Sequence, residues 1–346
     1  MPPATMRAAV ARARAQIEID RIPVPTPQAG EVRVRVQACG VCGTDVHIHH
    51  NGYLAPNVTP GHEMAGEVDE VGDGVDDVAA GDRVVIEPLR SCGICSYCRA
   101  GMDAICPELR VFGIHLNGGF AEYTTVPARR LFHVPPDLDP CVAALCEPMA
   151  VVVHGLHRGR FAAGQRVLVI GAGSIGLLAA KAAASLGAGD VWLTARHPHQ
   201  AELGRALGAH RVLGESEAAA SELARFGVEH PFDCVLETVG GTGETLRLAC
   251  AAVRPGGTVS VLGVFMREIA LDPFAPFLKE TTIAWSNCYS RPVEGADFQT
   301  AVELVDRHRD ELALLNTHTV SLDEVDRALD LAADRKAGSV KVTVVP

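Results

Sequence analysis

Positive charge is in short supply in this chain. Lys and Arg number 31 against 42 Asp and Glu, a formal net charge of −11 at pH 7, and such a balance argues against a phosphate backbone or an anionic membrane as the main partner. Any anion it binds has to be met by a local site. Long apolar runs are also lacking. The longest, Val167 to Ala180, holds three glycines and stops at Lys181, short of the ~20 residues that cross a bilayer, so no transmembrane helix is expected. Met1 to Arg7 leads into a run with three arginines between Arg7 and Arg14 and no apolar block, which is not a secretory pattern; the expected compartment is the cytoplasm. Nor is the composition that of a disordered chain: 48% hydrophobic and 21% charged residues are ordinary globular usage. A length of 346 residues suggests about two domains.

From Met6 to about Pro148 short β-like runs such as Glu31 to Val36 and Asp82 to Ile86 are broken by Gly, Pro and Asp, which predicts a compact, mostly β domain. A buried-strand pattern ending at Ile170 is then followed by glycines and an Ala-rich helix ending near Gly187. Strand patterns recur at Val191 to Thr194, Asp233 to Glu237 and Thr258 to Gly263 with helical segments between them. This alternation predicts a doubly wound parallel sheet, an α/β class. After Trp285 the pattern changes to helices near Phe298 to Arg307 and Leu322 to Ala333, then a terminal strand Ser339 to Val344.

Eleven cysteines are an odd number, and in a cytosolic chain they read better as ligands and core residues than as disulfides. Cys92, Cys95, Cys98 and Cys106 fall within fifteen positions, with Gly93 and Gly101 to allow tight turns. Four sulfurs fill a tetrahedral shell, so this loop suits a structural zinc with no open position. A second set is mixed: Cys42 precedes Thr44, Asp45 and His47, His62 adjoins Glu63, and Cys146 adjoins Glu147. One thiolate, one imidazole and one or two carboxylates leave a coordination position for a water or an alcohol oxygen, which is a catalytic zinc pattern.

These residues, with Gly61-His62-Glu63, Gly118-Gly-Phe-Ala-Glu-Tyr123 and Glu147-Pro148, resemble over nearly the whole chain the zinc-dependent medium-chain dehydrogenases of alcohols, sorbitol, threonine and butanediol. The resemblance implies that Cys42 and His62 bind the catalytic zinc, that Glu63 or Glu147 and a water complete its shell, with Cys146 as a thiolate alternative, and that Asp45 orients His62. Thr44 and His47 would pass the alcohol proton outward through the cofactor ribose. Glu147 in place of a further cysteine points to the polyol-like side of the family. The implied architecture is a chaperonin-10-like catalytic domain over residues 1–152, a Rossmann domain over 153–288, and a segment 289–346 returning to the first domain, with the active site in the cleft.

Gly171-Ala-Gly173-Ser174-Ile175-Gly176 follows a predicted strand and opens a predicted helix, the context that the dinucleotide fingerprint requires. The glycines let the backbone approach the pyrophosphate, whose charge meets helix N-terminal N–H groups. The ribose carboxylate expected about 20 residues on is missing: Ala195 stands there, followed by Arg196, His197 and His199. A guanidinium suits a 2′-phosphate, so NADP is expected over NAD. The reading is a zinc enzyme with two zinc ions per chain, transferring hydride between a secondary alcohol, such as a polyol or sugar derivative, and NAD(P), and assembling as a homodimer or homotetramer. Alternatives are a zinc-free enone or quinone reductase and a non-enzymatic NADPH-binding relative. Tyr53, His115, Trp285 and Tyr289 are candidate substrate contacts.

Overall fold

Valine at every second position makes Glu31–Gly40 a strand: Val32, Val34 and Val36 are buried on one face, the alternation that a half-covered sheet demands. In the computed structural model, which describes residues 3–13, 16–51, 56–214, 216, 220–241, 243–291 and 296–346, this strand is the centre of a seven-stranded sheet. The order along the sheet is Asn316–Ser321, Lys341–Val345, Glu31–Gly40, Glu63–Val71, Arg83–Ile86 and Leu131–His133, with Tyr123–Pro127 also on Glu31–Gly40. The register sets Gly40 opposite Glu63 on one side and opposite Thr343 on the other. The core of this unit is built from Val32, Val34, Met64, Val84, Phe120 and Val344.

The chain divides into two compact units, Met1–Glu147 with Arg291–Pro346, and Pro148–Ser290. The second holds a six-stranded parallel sheet in the order Arg211–Leu213, Asp190–Thr194, Arg166–Ile170, Phe232–Glu237, Val253–Val261 and Thr282–Trp285. This is the doubly wound sheet that the alternation predicts. Arg166–Ile170 has neighbours on both sides and the connections diverge from it, so its C-terminal end is the switch point at which such sheets bind ligands. Leu168, Ile170, Trp192, Val235 and Val259 form the core.

One strand boundary needs correction, and one apolar helix needs comment. The strand expected from Thr258 starts at Val253, because Arg254 to Gly257 form an irregularity in the pairing with Phe232–Glu237 and carry the strand on from Val253. A second apolar stretch, Pro140–Arg158, is by length and composition apolar enough to cross a membrane; 72% of it is buried inside the structure. It carries Glu147, His154 and His157, while Val152, Val153 and Leu156 are buried, as in a core helix. An unbroken apolar run is too strict a criterion, because polar residues scattered through this stretch leave its mean hydropathy high.

Candidate functional site

The helix Gly43–Asn51 begins one residue after Cys42, and Asp45 ties the two together. The Cys42 N–H donates to Asp45 Oδ2 at 2.9 Å, and the Asp45 N–H donates to the Cys42 carbonyl at 3.0 Å. The other oxygen, Oδ1, lies 3.3 Å from His62 Nδ1. Burial alone would suppress charge on His62, but the facing Asp45 and Cys42 outweigh it and hold its pKa well above the usual histidine range. Gly61 brings His62 in at φ +91°, where an added Cβ would meet the Phe120 ring at 2.6 Å and Cys39 Sγ at 2.8 Å. One donor atom each from Cys42, His62 and Glu63 lie within 4.8 Å of one another. That donor set, a soft sulfur with nitrogen and oxygen, fits zinc. Glu147 is buried in the first turn of Cys146–Arg158 but is not one of the three. Cys146 is fully buried, and burial beside Asp306 pushes its thiol up.

Thr44 is half-buried and His47 exposed. Three residues apart on one helix, they share a face. Lys341, which belongs to none of the sequence motifs, is buried at the start of the last strand. Its ammonium donates to Glu63 Oε1 at 2.7 Å, to Oε2 at 2.6 Å and to the Val41 carbonyl at 3.2 Å. The one signal for it in the sequence is a lone charge opening an apolar strand.

Cys92, Cys95, Cys98 and Cys106 also bring their sulfurs within 4.8 Å of one another, with Cys95 and Cys98 at 3.5 Å. Backbone N–H groups of Cys92 and Cys98 point at Cys106 Sγ and Cys95 Sγ, each at 3.5 Å. Such donors favour thiolates, and N–H groups of Ile94 and Cys95 pull the Cys92 pKa down to about 7. The loop is pinned from outside: Gly101, at φ +73°, accepts the Arg291 N–H at 2.7 Å. A Cβ there would lie 1.9 Å from the Arg291 carbonyl.

In the second unit Gly171 adopts φ +104° at the end of Arg166–Ile170, and its N–H donates to Thr194 Oγ1 at 2.9 Å. A Cβ on Gly176 would lie 1.8 Å from the Gly171 carbonyl. The helix Ser174–Ser185 starts after Gly173 with no side-chain cap and no acid in its first turn. Its N-terminal dipole is therefore left for an anion, and a diphosphate fits this cradle. Ala195 is buried and Arg196 exposed. The His197 and His199 rings stack at 5.6 Å with 9° between their planes. Of the candidate substrate contacts, Tyr53 lies outside the described residues, and His115 Nδ1 is occupied by the Val111 N–H at 3.1 Å. Trp285 is exposed and Tyr289 buried.

Residues 28–136 match the family model of the alcohol dehydrogenase GroES-like domain, and residues 174–307 match that of the zinc-binding dehydrogenases. Galactitol 1-phosphate 5-dehydrogenase of Escherichia coli (strain K12) is 32% identical over 91% of this chain and 92% of its own length. Sorbitol dehydrogenase of Bacillus subtilis (strain 168) is 31% identical over 99% and 98%. A crystal structure from Sinorhizobium meliloti 1021, bound to NADP, superposes with a TM-score of 0.90 at 34% identity, covering 99% of this chain and 100% of that one.

Proposed function

From the premise that the chain belongs to the zinc-dependent medium-chain dehydrogenases, we propose how its own residues perform an NAD(P)-linked oxidation of secondary alcohols. The observation that carries the reading is the convergence of Cys42, His62 and Glu63 in one unit, with an open dinucleotide cradle at Gly171 to Gly176 in the other. Zinc, when bound, supplies Lewis acidity that lowers the pKa of an alcohol hydroxyl. Cys42 and His62 would hold it, with Glu63 or Glu147 completing the shell. Asp45 faces Nδ1 of His62 and so fixes the ring with its other nitrogen free to ligate. Thr44 and His47 would relay the alcohol proton outward through the cofactor ribose: the Thr44 hydroxyl would take it while giving up its own, and His47, on the same helix face but exposed, would pass a proton on to water. Residues 1–152 with 289–346 carry the metal chemistry, and residues 153–288 carry the dinucleotide. Names of relatives that act on galactitol 1-phosphate and sorbitol support a polyol or its phosphate as substrate. A turnover screen of polyols, polyol phosphates and simple alcohols with NAD and NADP in parallel tests this, and no turnover of any polyol would overturn it.

NADP is the preferred cofactor in this reading. Ala195 removes the acid that would bond the ribose and repel a 2′-phosphate, and Arg196 supplies a charge-assisted bond. Such a bond contributes about 1.5–3 kcal/mol, a factor of roughly ten to more than a hundred. Ala195→Asp is expected to move the preference toward NAD, and Arg196→Ala to weaken NADP alone. Ratios of kcat/KM at fixed pH and ionic strength check both; equal losses for the two cofactors would reduce Arg196 to a solvated residue.

Two zinc ions per chain follow from two non-overlapping donor sets. Elemental analysis should give close to two for the parent and one for Cys98→Ser, with a fall in Tm because metal binding contributes to folding. Eleven free cysteines support a reducing, cytoplasmic setting. A homo-oligomer is supported by the edge strand Thr282–Trp285 of the parallel sheet, whose Trp285 is exposed, as are Phe274 and Phe277 of the helix that precedes it in the chain. Two copies can pair such edges, and a monomer mass in sedimentation equilibrium would refute this.

A further inference from the structure

Glu237 ends the strand Phe232–Glu237, opposite Ile170 and so beside the glycine loop, and has no part in the proposed chemistry. It is 0% exposed. Its Oε1 accepts the N–H groups of Val239 and Gly240, each at 2.8 Å, while Oε2 is buried with no hydrogen-bond partner among the described residues. Gly263 makes room for that oxygen, since a Cβ there would fall 2.3 Å from it and 2.2 Å from the Gly240 nitrogen. Burying a carboxylate with one oxygen unpaired works against folding, so this residue calls for a role other than stability.

The two N–H groups belong to the segment Thr238 to Gly241, wedged between two loops at the carboxyl ends of the strands. On one side the Thr238 N–H and hydroxyl donate to the Ile170 carbonyl at 3.1 and 2.8 Å, and a Cβ on Gly171 would meet Val239 Cγ2 at 2.5 Å. On the other side the Gly241 N–H donates to the Val264 carbonyl at 3.0 Å, and the Leu262 and Gly263 N–H groups donate to the Glu237 carbonyl at 2.8 and 3.0 Å. Val239 and Val264 are 53% and 58% exposed, so the wedge offers apolar surface at its rim. Topology says what lies over it. With the diphosphate at Gly171 to Gly176 and the adenosine end beside Ala195, the first nucleoside occupies the side of Arg166–Ile170 that carries Asp190–Thr194. A dinucleotide spans the switch point, so its nicotinamide end crosses to the side of Phe232–Glu237 and Val253–Val261. Resting on that dinucleotide reading, we propose that Glu237 is a positioning residue for the nicotinamide half of the cofactor. By gathering the Val239 and Gly240 N–H groups it holds the wedge, and with it the Val239 and Val264 surface, in the form the nicotinamide nucleoside packs against.

The test is isothermal titration with NADPH and with 2′-phospho-ADP-ribose, which lacks only the nicotinamide base; NADH and ADP-ribose are run in parallel. Glu237→Leu keeps the bulk but loses both acceptors. It is expected to weaken the reduced dinucleotide about tenfold or more, because binding then has to order the wedge, and to leave the fragment within about twofold. Glu237→Gln, whose side-chain carbonyl takes the same two N–H groups, restores dinucleotide binding to within about threefold of the parent. Equal losses for dinucleotide and fragment in Glu237→Leu, or no loss for either, would overturn the proposal. A loss in Glu237→Gln as large as in Glu237→Leu would also overturn it, since charge and not position would then carry the effect. If Glu237→Leu does not fold, Val264→Ser, at an exposed position, decides the matter: the dinucleotide should weaken about threefold or more with the fragment unaffected, and a parental dinucleotide Kd would overturn the proposal. Gly176→Val separates the two levels, because its side chain runs into the Gly171 carbonyl and should abolish binding of both ligands. Parental binding of both would mean that the dinucleotide reading itself fails.

Discussion

His62→Ala and Cys42→Ser are each expected to lower alcohol oxidation about a thousandfold or more while NADP binds with its parental Kd. Lewis-acid stabilisation of developing negative charge amounts to several kcal/mol, and each 1.36 kcal/mol is a factor of ten in rate, so losing roughly 4 kcal/mol gives that fall. Binding is spared because the two residues lie in the unit Met1–Glu147 with Arg291–Pro346, whereas Gly171 to Gly176 lie in Pro148–Ser290. The two ligands should not add: removing either disables one centre, and the double variant should be no slower than the worse single one. Initial rates with saturating cofactor and isothermal titration with NADP measure both quantities. Parental turnover in the double variant would reject metal chemistry at this site.

The second large effect is on stability. Arg130 is 2% exposed, and its guanidinium donates to Glu87 Oε2 at 2.6 Å, Ser91 Oγ at 2.8 Å and Asp103 Oδ2 at 2.7 Å. Arg291 binds the same Glu87. Removing one partner of a buried ion pair costs about 3–5 kcal/mol, and for a domain of this size that is a fall in Tm of roughly 10 °C. Arg130→Met is therefore expected to melt at least this much earlier at neutral pH. Acid should have opposite effects on the two proteins. Burial pushes the Asp103 carboxyl up, but Arg130 pulls it further down, below the ordinary range. The parent's share of stability from this pair is therefore complete above the aspartate range and lost as pH falls below about 4. In Arg130→Met the carboxylate is buried without its cation, its pKa rises, and protonation relieves the penalty, so the gap in Tm narrows toward acid. A Tm within about 2 °C of the parent at neutral pH, where roughly 10 °C is expected, would show the network to be dispensable.

How much of the fold and the site was legible in the sequence depended on sequence distance. The glycine loop could be read because strand, turn and helix are consecutive and Gly176 answers a contact with Gly171 only five residues back. The four-cysteine loop could be read because its ligands fall within fifteen positions. Lys341 could not, since its partner Glu63 is 278 residues away, nor could Arg291, which is 204 residues from Glu87. Arg130 was hidden for a different reason: in a chain with 31 basic residues, nothing local distinguishes a buried arginine from a solvated one. Motifs carried the ligands, and the counter-charges that hold those ligands in place became visible only through the fold.

The interrupted course of the first unit bears on how the protein is made. Synthesis delivers Glu31–Gly40 and Glu63 early, but the strand Lys341–Val345, which pairs with Gly40 and neutralises Glu63, comes 278 residues after that glutamate. The unit Pro148–Ser290 is continuous and can close while the ribosome is still working, as domains emerging in order do. The metal-bearing unit cannot. Until Lys341–Val345 emerges it keeps an open sheet edge and a carboxylate without its cation, an aggregation-prone state. In a chain that stops before residue 341, that edge of Glu31–Gly40 stays unpaired and Glu63 stays buried without its cation.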